Sequence, residues 1–300
     1  MKSMVLVLSL TVVAALTAGQ KTFRTEVNLV HFAVVVTDKS GAPITGLTAD
    51  DFEVKEEGRP QVIKFFAEGD PDDAPPLHIG FLLDTSGSMG EDIRDARTAA
   101  IKFLNTMERA VDITLVDFDT EVRVARYAAS DYARLIERIR SRKPDGYTAL
   151  YDALGIYLNG AAVQAGQKIL IMYTDGGDTR SALNHNDVIE LLRASDVTVY
   201  VLGYLEHQSQ SARSAQRQQL DRFATMTGGQ ALFPMSLKEV DKMYEKIERE
   251  IGARYSLAYT STDIRENGVW RNVEIRLKRP DLKGVRLRTR GGYFAPLKGS

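Results

Sequence analysis

The sequence predicts an α/β fold, a mainly parallel central sheet inserted in a β-sandwich that the N- and C-terminal flanks build together. Three observations carry this. From residue 76 to residue 251, apolar runs of strand length alternate with segments of helical period, the pattern of a parallel sheet covered on both faces. Residues 26–67, and the chain after Gly252, read as β throughout. Each flank offers only about three strands, too few to be stable alone, so one shared sandwich is the economical arrangement.

The chain opens with a targeting segment, residues 1–19. Lys2 supplies a positive start, Val5 to Leu16 an apolar core, and Thr17-Ala18-Gly19 the small residues for cleavage before Gln20. The run is short for a membrane span, which needs about 20 apolar residues. The expectation is a secreted or periplasmic protein with no membrane span in the mature chain; an uncleaved N-terminal anchor is the alternative. No Cys follows the segment, which excludes a lipoprotein anchor on that residue.

The first β flank covers residues 20–75. Val27 to Val36 is a long β-branched strand, turned by Asp38-Lys39-Ser40-Gly41. Phe52–Glu56 and Gln61–Phe66 alternate apolar and polar, with Glu57-Gly58-Arg59-Pro60 between them. Asp70 to Pro76 is a stiff linker, because proline continues no ladder.

In the central region, residues 76–251, strands are expected at His78–Asp84, Asp112–Phe118, Glu121–Tyr127, Lys168–Thr174, Val197–Leu205 and Gln230–Phe233. The tight Asp117-Phe118-Asp119-Thr120 makes the second and third an antiparallel hairpin. Helices are expected at Asp92–Met107, Asp131–Ser141, Ala149–Ala162, Asp187–Ala194, Arg217–Thr227 and Leu237–Ile251. In the first, Ile93, Ala96, Ala100, Phe103, Leu104 and Met107 fall at helical spacing, so one face is buried. The second flank, residues 252–300, has strands at Tyr255–Tyr259, Trp270–Leu277 and Val285–Arg288, closed by Tyr293-Phe294.

Composition bounds the function. Over 300 residues, 39 basic and 40 acidic side chains nearly cancel, so no global field draws the chain to nucleic acid. The basic stretch from Arg271 to Arg290 alternates with Val273, Ile275, Leu277, Val285 and Leu287 and reads as the solvent face of a strand. With no cysteine, thiol catalysis, zinc-thiolate sites and disulfides are absent. There is no glycosylation sequon, which together with the targeting segment fits a bacterial exported protein.

The chemistry concentrates at Asp84-Thr85-Ser86-Gly87-Ser88, which follows the apolar run His78 to Leu83. An acid and two hydroxyls at the carboxyl end of a buried strand offer three oxygens to one point. Hard cations such as Mg²⁺ take oxygen ligands, and open α/β sheets bind ligands at this end. Two further oxygens are available from Thr148, which opens a helix, and from Asp175, which ends the run Lys168 to Thr174. Taken singly, each fragment also reads as an ordinary cap or turn: Asp84 capping the next helix, Asp175 in a glycine-rich turn.

The set D-x-S-x-S, then a helix-opening Thr, then a strand ending T-D-G, resembles the von Willebrand factor type A domain over roughly residues 76–250. The loop before the Thr reads Gly-Tyr-Thr here rather than the commoner Gly-Gly-Thr. The arrangement between β flanks is similar to that of bacterial secreted proteins with a type A-related domain. The resemblance implies a metal-ion-dependent adhesion site. Ser86, Ser88 and Thr148 would ligate Mg²⁺ or Mn²⁺ directly, and Asp84 and Asp175 directly or through water. It implies an open position for an Asp or Glu of a protein partner, with no bond made or broken. It also implies that the final helix, Leu237–Ile251, can shift and carry the second flank with it.

Other classes fit the sequence less well. A Mg²⁺-dependent hydrolase or phosphatase needs a base and phosphate-binding cations, yet the chain has no D-x-D pair at Asp84, no P-loop and no G-x-S-x-G elbow. His31, His78, His185 and His207 pair with no serine by pattern, so no catalytic residue is assigned. A scaffold role in the cell envelope is the remaining alternative. Asp117, Asp119 and Asp178 read as turn or supporting groups, and Glu206 to Gln216 as a solvated loop or helix extension in preference to a partner-specific surface. Partner identity and oligomeric state are not written in these patterns.

Overall fold

The computed structural model of the chain describes residues 29–69, 75–90, 93–206 and 208–297. The expected targeting segment, the start of the first flank, residues 70–74 of the linker, residues 91–92 and His207 lie outside the described residues.

In chain order the elements are β1 (Leu29–Thr37), β2 (Phe52–Glu56), β3 (Arg59–Gln61), β4 (Ile63–Glu68), β5 (Leu77–Asp84) and α1 (Ile93–Leu104). There follow β6 (Ala110–Phe118), β7 (Val122–Ala128), α2 (Tyr132–Ser141), α3 (Leu150–Ala161), β8 (Gln167–Thr174) and α4 (His185–Ala194). Then come β9 (Thr198–Gly203), α5 (Gln210–Met226), β10 (Ala231–Leu232) and α6 (Leu237–Gly252). The chain closes with β11 (Tyr255–Thr260), β12 (Trp270–Leu277), β13 (Arg286–Arg288) and β14 (Gly292–Phe294).

The central sheet runs β10-β9-β8-β5-β6-β7. All its pairings are parallel except the β6–β7 hairpin. Every residue of β5 is buried, as expected of a strand covered on both faces. One face packs on α1, α2 and α6 through Phe103, Leu135, Ile139, Tyr244 and Ile247. The other packs on α3, α4 and α5 through Leu154, Val188, Leu192 and Phe223. Gly80 lets α3 come this close, since a Cβ there would lie 2.2 Å from the Tyr157 ring.

The flanks form two four-stranded sheets, β13-β1-β11-β4 and β14-β12-β2-β3. Each combines strands from before and after the central region. β1 pairs β11 from Leu29↔Thr260 to Val34↔Tyr255, and β12 pairs β2 from Val273↔Glu56 to Leu277↔Phe52. Phe32, Val34, Leu257 and Tyr259 of one sheet meet Phe52, Val54, Val273 and Ile275 of the other in one core. The chain leaves the sandwich along β4 and returns along its antiparallel neighbour β11, where Gly69 N–H donates to Arg254 O at 2.7 Å.

Three readings need correction. The expected strand Gln61–Phe66 is two strands in different sheets, for β3 pairs β2 while β4 pairs β11. The chain crosses between sheets at Val62, which is 68 % exposed. The fifth helix starts at Gln210 rather than Arg217, with Ser209 Oγ accepting from Ala212 N–H as its cap; its first turns carry no apolar stripe to betray them. The basic stretch is not simply a solvent face. Arg271 is buried because it shares its side of β12 with Val273 and Ile275. Arg288 reaches Glu250 Oε2 at 2.5 Å, and Arg290 donates to His31 O at 2.8 Å.

Candidate functional site

β5 and β8 are hydrogen-bonded neighbours in the middle of the sheet. Their carboxyl ends deliver Asp84 and, one residue beyond Thr174, Asp175. After β5 the chain turns through a short 3-10 segment, Gly87–Met89, with Ser86 at its cap position. This bends Ser86 back over Asp84. Ser86 N–H and Ser86 Oγ donate to Asp84 Oδ1 at 3.0 and 2.6 Å. Ser86 Oγ and Ser88 Oγ lie 3.1 Å apart, and Ser88 is exposed. The three oxygens expected from D-x-S-x-S therefore form one chain leading from the sheet to solvent.

Thr148 is delivered by the loop ahead of α3. That loop is stitched to the first, Asp145 N–H donating to Thr85 O at 3.0 Å and Gly87 N–H to Gly146 O at 3.2 Å. Gly146 is left-handed at φ 71, and a Cβ on it would strike Thr120 Oγ1 at 2.3 Å, so glycine is required. Thr148 is buried and is fixed through its backbone, with Thr179 Oγ1 3.0 Å from its N–H. Its hydroxyl shares no hydrogen bond with the Asp84 group. The structure thus joins Asp84, Ser86 and Ser88 directly and carries Thr148 and Asp175 to the same edge.

The reading of the sequence missed two groups. Thr174 Oγ1 donates to Asp84 Oδ2 at 2.7 Å, and Gln208 Nε2 donates to Asp175 Oδ2 at 2.9 Å. Thr174 was detectable, since it precedes Asp175 at the end of a buried strand. Gln208 was not, because only the fold brings the turn before α5 here. The carboxylates of Asp117 and Asp119 are taken by arginines instead, Arg123 lying 2.7 and 2.5 Å from them and Arg138 2.8 Å from Asp117. Asp178 ties the loop to α3, accepting from Tyr151 N–H at 3.1 Å.

Charge singles the site out. Among the described residues, Glu56, Asp112, Asp117 and Glu250 are buried carboxylates, and each has an arginine partner. Asp84 and Asp175 are buried too, 0 % and 6 % exposed, yet no described Lys or Arg side chain bonds either one. Burial, then the neighbouring Asp175 charge, push the Asp84 carboxyl up to about 7, against hydrogen bonds that favour ionisation. Two carboxylates sharing a buried edge with three hydroxyls and no cation are a donor set suited to a hard divalent ion. No group of three or more His, Cys, Asp or Glu side chains able to hold a metal occurs among the described residues. The oxygen set here has two carboxylates, so its remaining donors are hydroxyls.

The family model described as von Willebrand factor type A domain matches residues 78–246. No curated protein matches the sequence. Among solved structures, a D319A mutant of the PilB minor pilin from Streptococcus sanguinis is 15 % identical, with TM-score 0.50. That match covers 61 % of this chain and 62 % of the pilin, so it spans less than two thirds of that protein. A von Willebrand factor type A protein from Catenulispora acidiphila is 14 % identical over 92 % of this chain and 75 % of its own, with TM-score 0.49. The vWF domain of the type V pili tip protein Mfa5 from Porphyromonas gingivalis is 16 % identical, with TM-score 0.47, over 59 % and 97 %. At 15 % identity the likeness to the pilin is one of fold alone.

Proposed function

Because the chain belongs to the von Willebrand factor type A domain family, we propose that it is a divalent-cation-dependent protein-binding module of the adhesion type. Asp84, Ser86, Ser88, Thr148 and Asp175 would hold Mg²⁺ or Mn²⁺. The observation that carries this reading is the pair of buried carboxylates, Asp84 and Asp175, without a protein cation beside a row of hydroxyls.

When bound, the ion supplies an electrophilic position that an Asp or Glu of a partner protein can complete. The chain's own residues prepare that position. Thr174 and Ser86 fix the Asp84 carboxylate by 2.7 and 2.6 Å hydrogen bonds, so its orientation is set before any ion arrives. Gln208 holds Asp175 in the same way. Ser88 stands at the solvent end, and Tyr147, 65 % exposed beside Thr148, supplies an aromatic contact at the rim, a residue type enriched in interfaces. The function is recognition without bond making, and no residue is assigned a catalytic role. Export from the cell follows from the targeting segment. Among the described residues no helix is long and apolar enough to cross a membrane.

The test is calorimetric titration of the purified chain with Mg²⁺ and Mn²⁺, beside Asp84→Ala and Ser86→Ala. Saturable binding lost in both folded variants is expected. No binding in the folded wild type, with or without an acid-bearing partner, would end the proposal. Pull-down with and without chelator then separates a binding module from an envelope scaffold.

A further inference from the structure

One strand over from the oxygen set, the carboxyl end of β6 carries Asp117, which stands opposite Leu83 in the β5–β6 register. It shares the parity of Ile113 and Leu115, whose side chains pack in the core beneath α1 and α2. The buried Asp117 carboxylate is crowded with guanidinium groups. Arg138 Nε and Nη2 lie 2.8 Å from Oδ1, and Arg123 Nε and Arg142 Nε lie 2.7 and 3.1 Å from Oδ2. An ionised carboxyl group has about four lone-pair sites, so these N–H groups fill it.

A fourth arginine finds no place. Arg97, from α1, is 8 % exposed, and its Nε and Nη2 are buried with no hydrogen-bond partner. Burial lowers its pKa and the Asp117 charge opposes that, so the guanidinium lies in the field of a carboxylate that other arginines already occupy. Arginine stays charged in proteins, and a buried charge without a partner is costly. The other acids of the group are engaged as well. Asp119 meets Arg123 at 2.5 Å, and Glu121, out in solvent, lies 3.6 Å from the same arginine. Four cations thus face two enclosed acids and one exposed acid.

We propose that this arginine group binds a phosphate-type oxyanion. Arg138 and Arg142 are its outer members, with side chains 30 % and 34 % exposed. They turn to the incoming anion, and Arg97 takes the oxygens of Asp117 that they vacate, so the bound state leaves no guanidinium without an acceptor. A tetrahedral dianion suits the group better than a carboxylate, because it offers more acceptor oxygens to arginine forks and matches the surplus of cations. The site is independent of the metal reading, since none of these arginines bonds Asp84 or Asp175.

The experiment is calorimetric titration of the purified chain, stripped of metal with chelator and dialysed, at constant ionic strength. The probes are inorganic phosphate, glycerol 3-phosphate and acetate. The expected result is saturable one-site binding of phosphate, at least tenfold tighter than acetate. Tighter binding of glycerol 3-phosphate names a phosphomonoester as the ligand, and equal or weaker binding names free phosphate. Arg142→Gln should weaken phosphate at least tenfold. Arg97→Met should weaken it severalfold while keeping or raising the melting temperature, because it removes an unpartnered buried charge; an arginine with a purely structural role would lose stability instead. Should Arg97→Met fail to fold, Arg142→Gln, at a part-exposed position, decides alone. No saturable phosphate binding, acetate as tight as phosphate, or affinity unchanged in either folded variant would overturn the site.

Discussion

Glu56 in the sandwich and Asp84 at the sheet edge are equally hidden, 2 % and 0 % exposed, and both are well supplied with hydroxyls. Glu56 accepts from Ser261 Oγ at 2.6 Å, Tyr259 OH at 2.7 Å and Tyr293 OH at 2.9 Å. Asp84 accepts from Ser86 and Thr174. The difference is a guanidinium. Arg271 stands 3.5 Å from Glu56 and also donates to Asp263 O and Ser261 Oγ, whereas Asp84 has a second carboxylate for a neighbour. Hydrogen bonds satisfy lone pairs, but they do not balance charge. Glu56 belongs to a finished internal salt bridge, whereas the proposed function gives Asp84 its positive partner from outside the chain.

Breaking the finished pair should have the largest effect. Arg271→Met leaves Glu56 buried without its cation, and urea unfolding should show a loss of about 3–5 kcal/mol. Completing the other pair comes next. Mg²⁺ at 100 times its dissociation constant should stabilise the chain by about 2.7 kcal/mol, reversed by chelator; no shift in melting temperature would place Asp84 with the structural carboxylates.

The pH dependence sharpens the contrast. The Asp84 carboxyl is raised in the folded chain to about 7 from 3.8, so the folded state holds its proton more tightly than the unfolded one. Its stabilising effect is full below pH 3.8 and is lost as pH rises through about 7. Chelated protein should therefore lose about 2 kcal/mol between pH 5.5 and 8 from this group, and Asp84→Asn should flatten that slope. Glu56→Gln should change stability in the opposite direction from Asp84→Asn at pH 8, both measured without metal. The smallest effect is expected for Gln208→Ala, which removes one hydrogen bond from Asp175. It should weaken Mg²⁺ binding severalfold with little change in stability, a loss of about 1 kcal/mol of orientation.

The parallel strands were legible because strands buried on both faces become unbroken apolar runs, as in His78 to Leu83 and Ile169 to Tyr173. The oxygen set was legible because its members stand at strand and helix ends. Arg271 was misread although its parity with Val273 and Ile275 places it inside. Charge suggested water, and only the fold shows Glu56 waiting across the ladder. The crossing at Val62 was hidden since both of its halves alternate as one strand would. Gln208 belongs to the site by tertiary approach, which local pattern does not encode.

The paired passage of β4 and β11 between the two layers has a mechanical meaning. If the proposed partner binds at the Asp84 edge, a pull on it transmits its load into the sandwich through these two adjacent strands. A tug along their axis draws β11 lengthwise past β1, to which it is bonded from Leu29↔Thr260 to Val34↔Tyr255. The hydrogen bonds of that ladder then share the strain together instead of parting one after another, so the junction resists traction in shear rather than peeling.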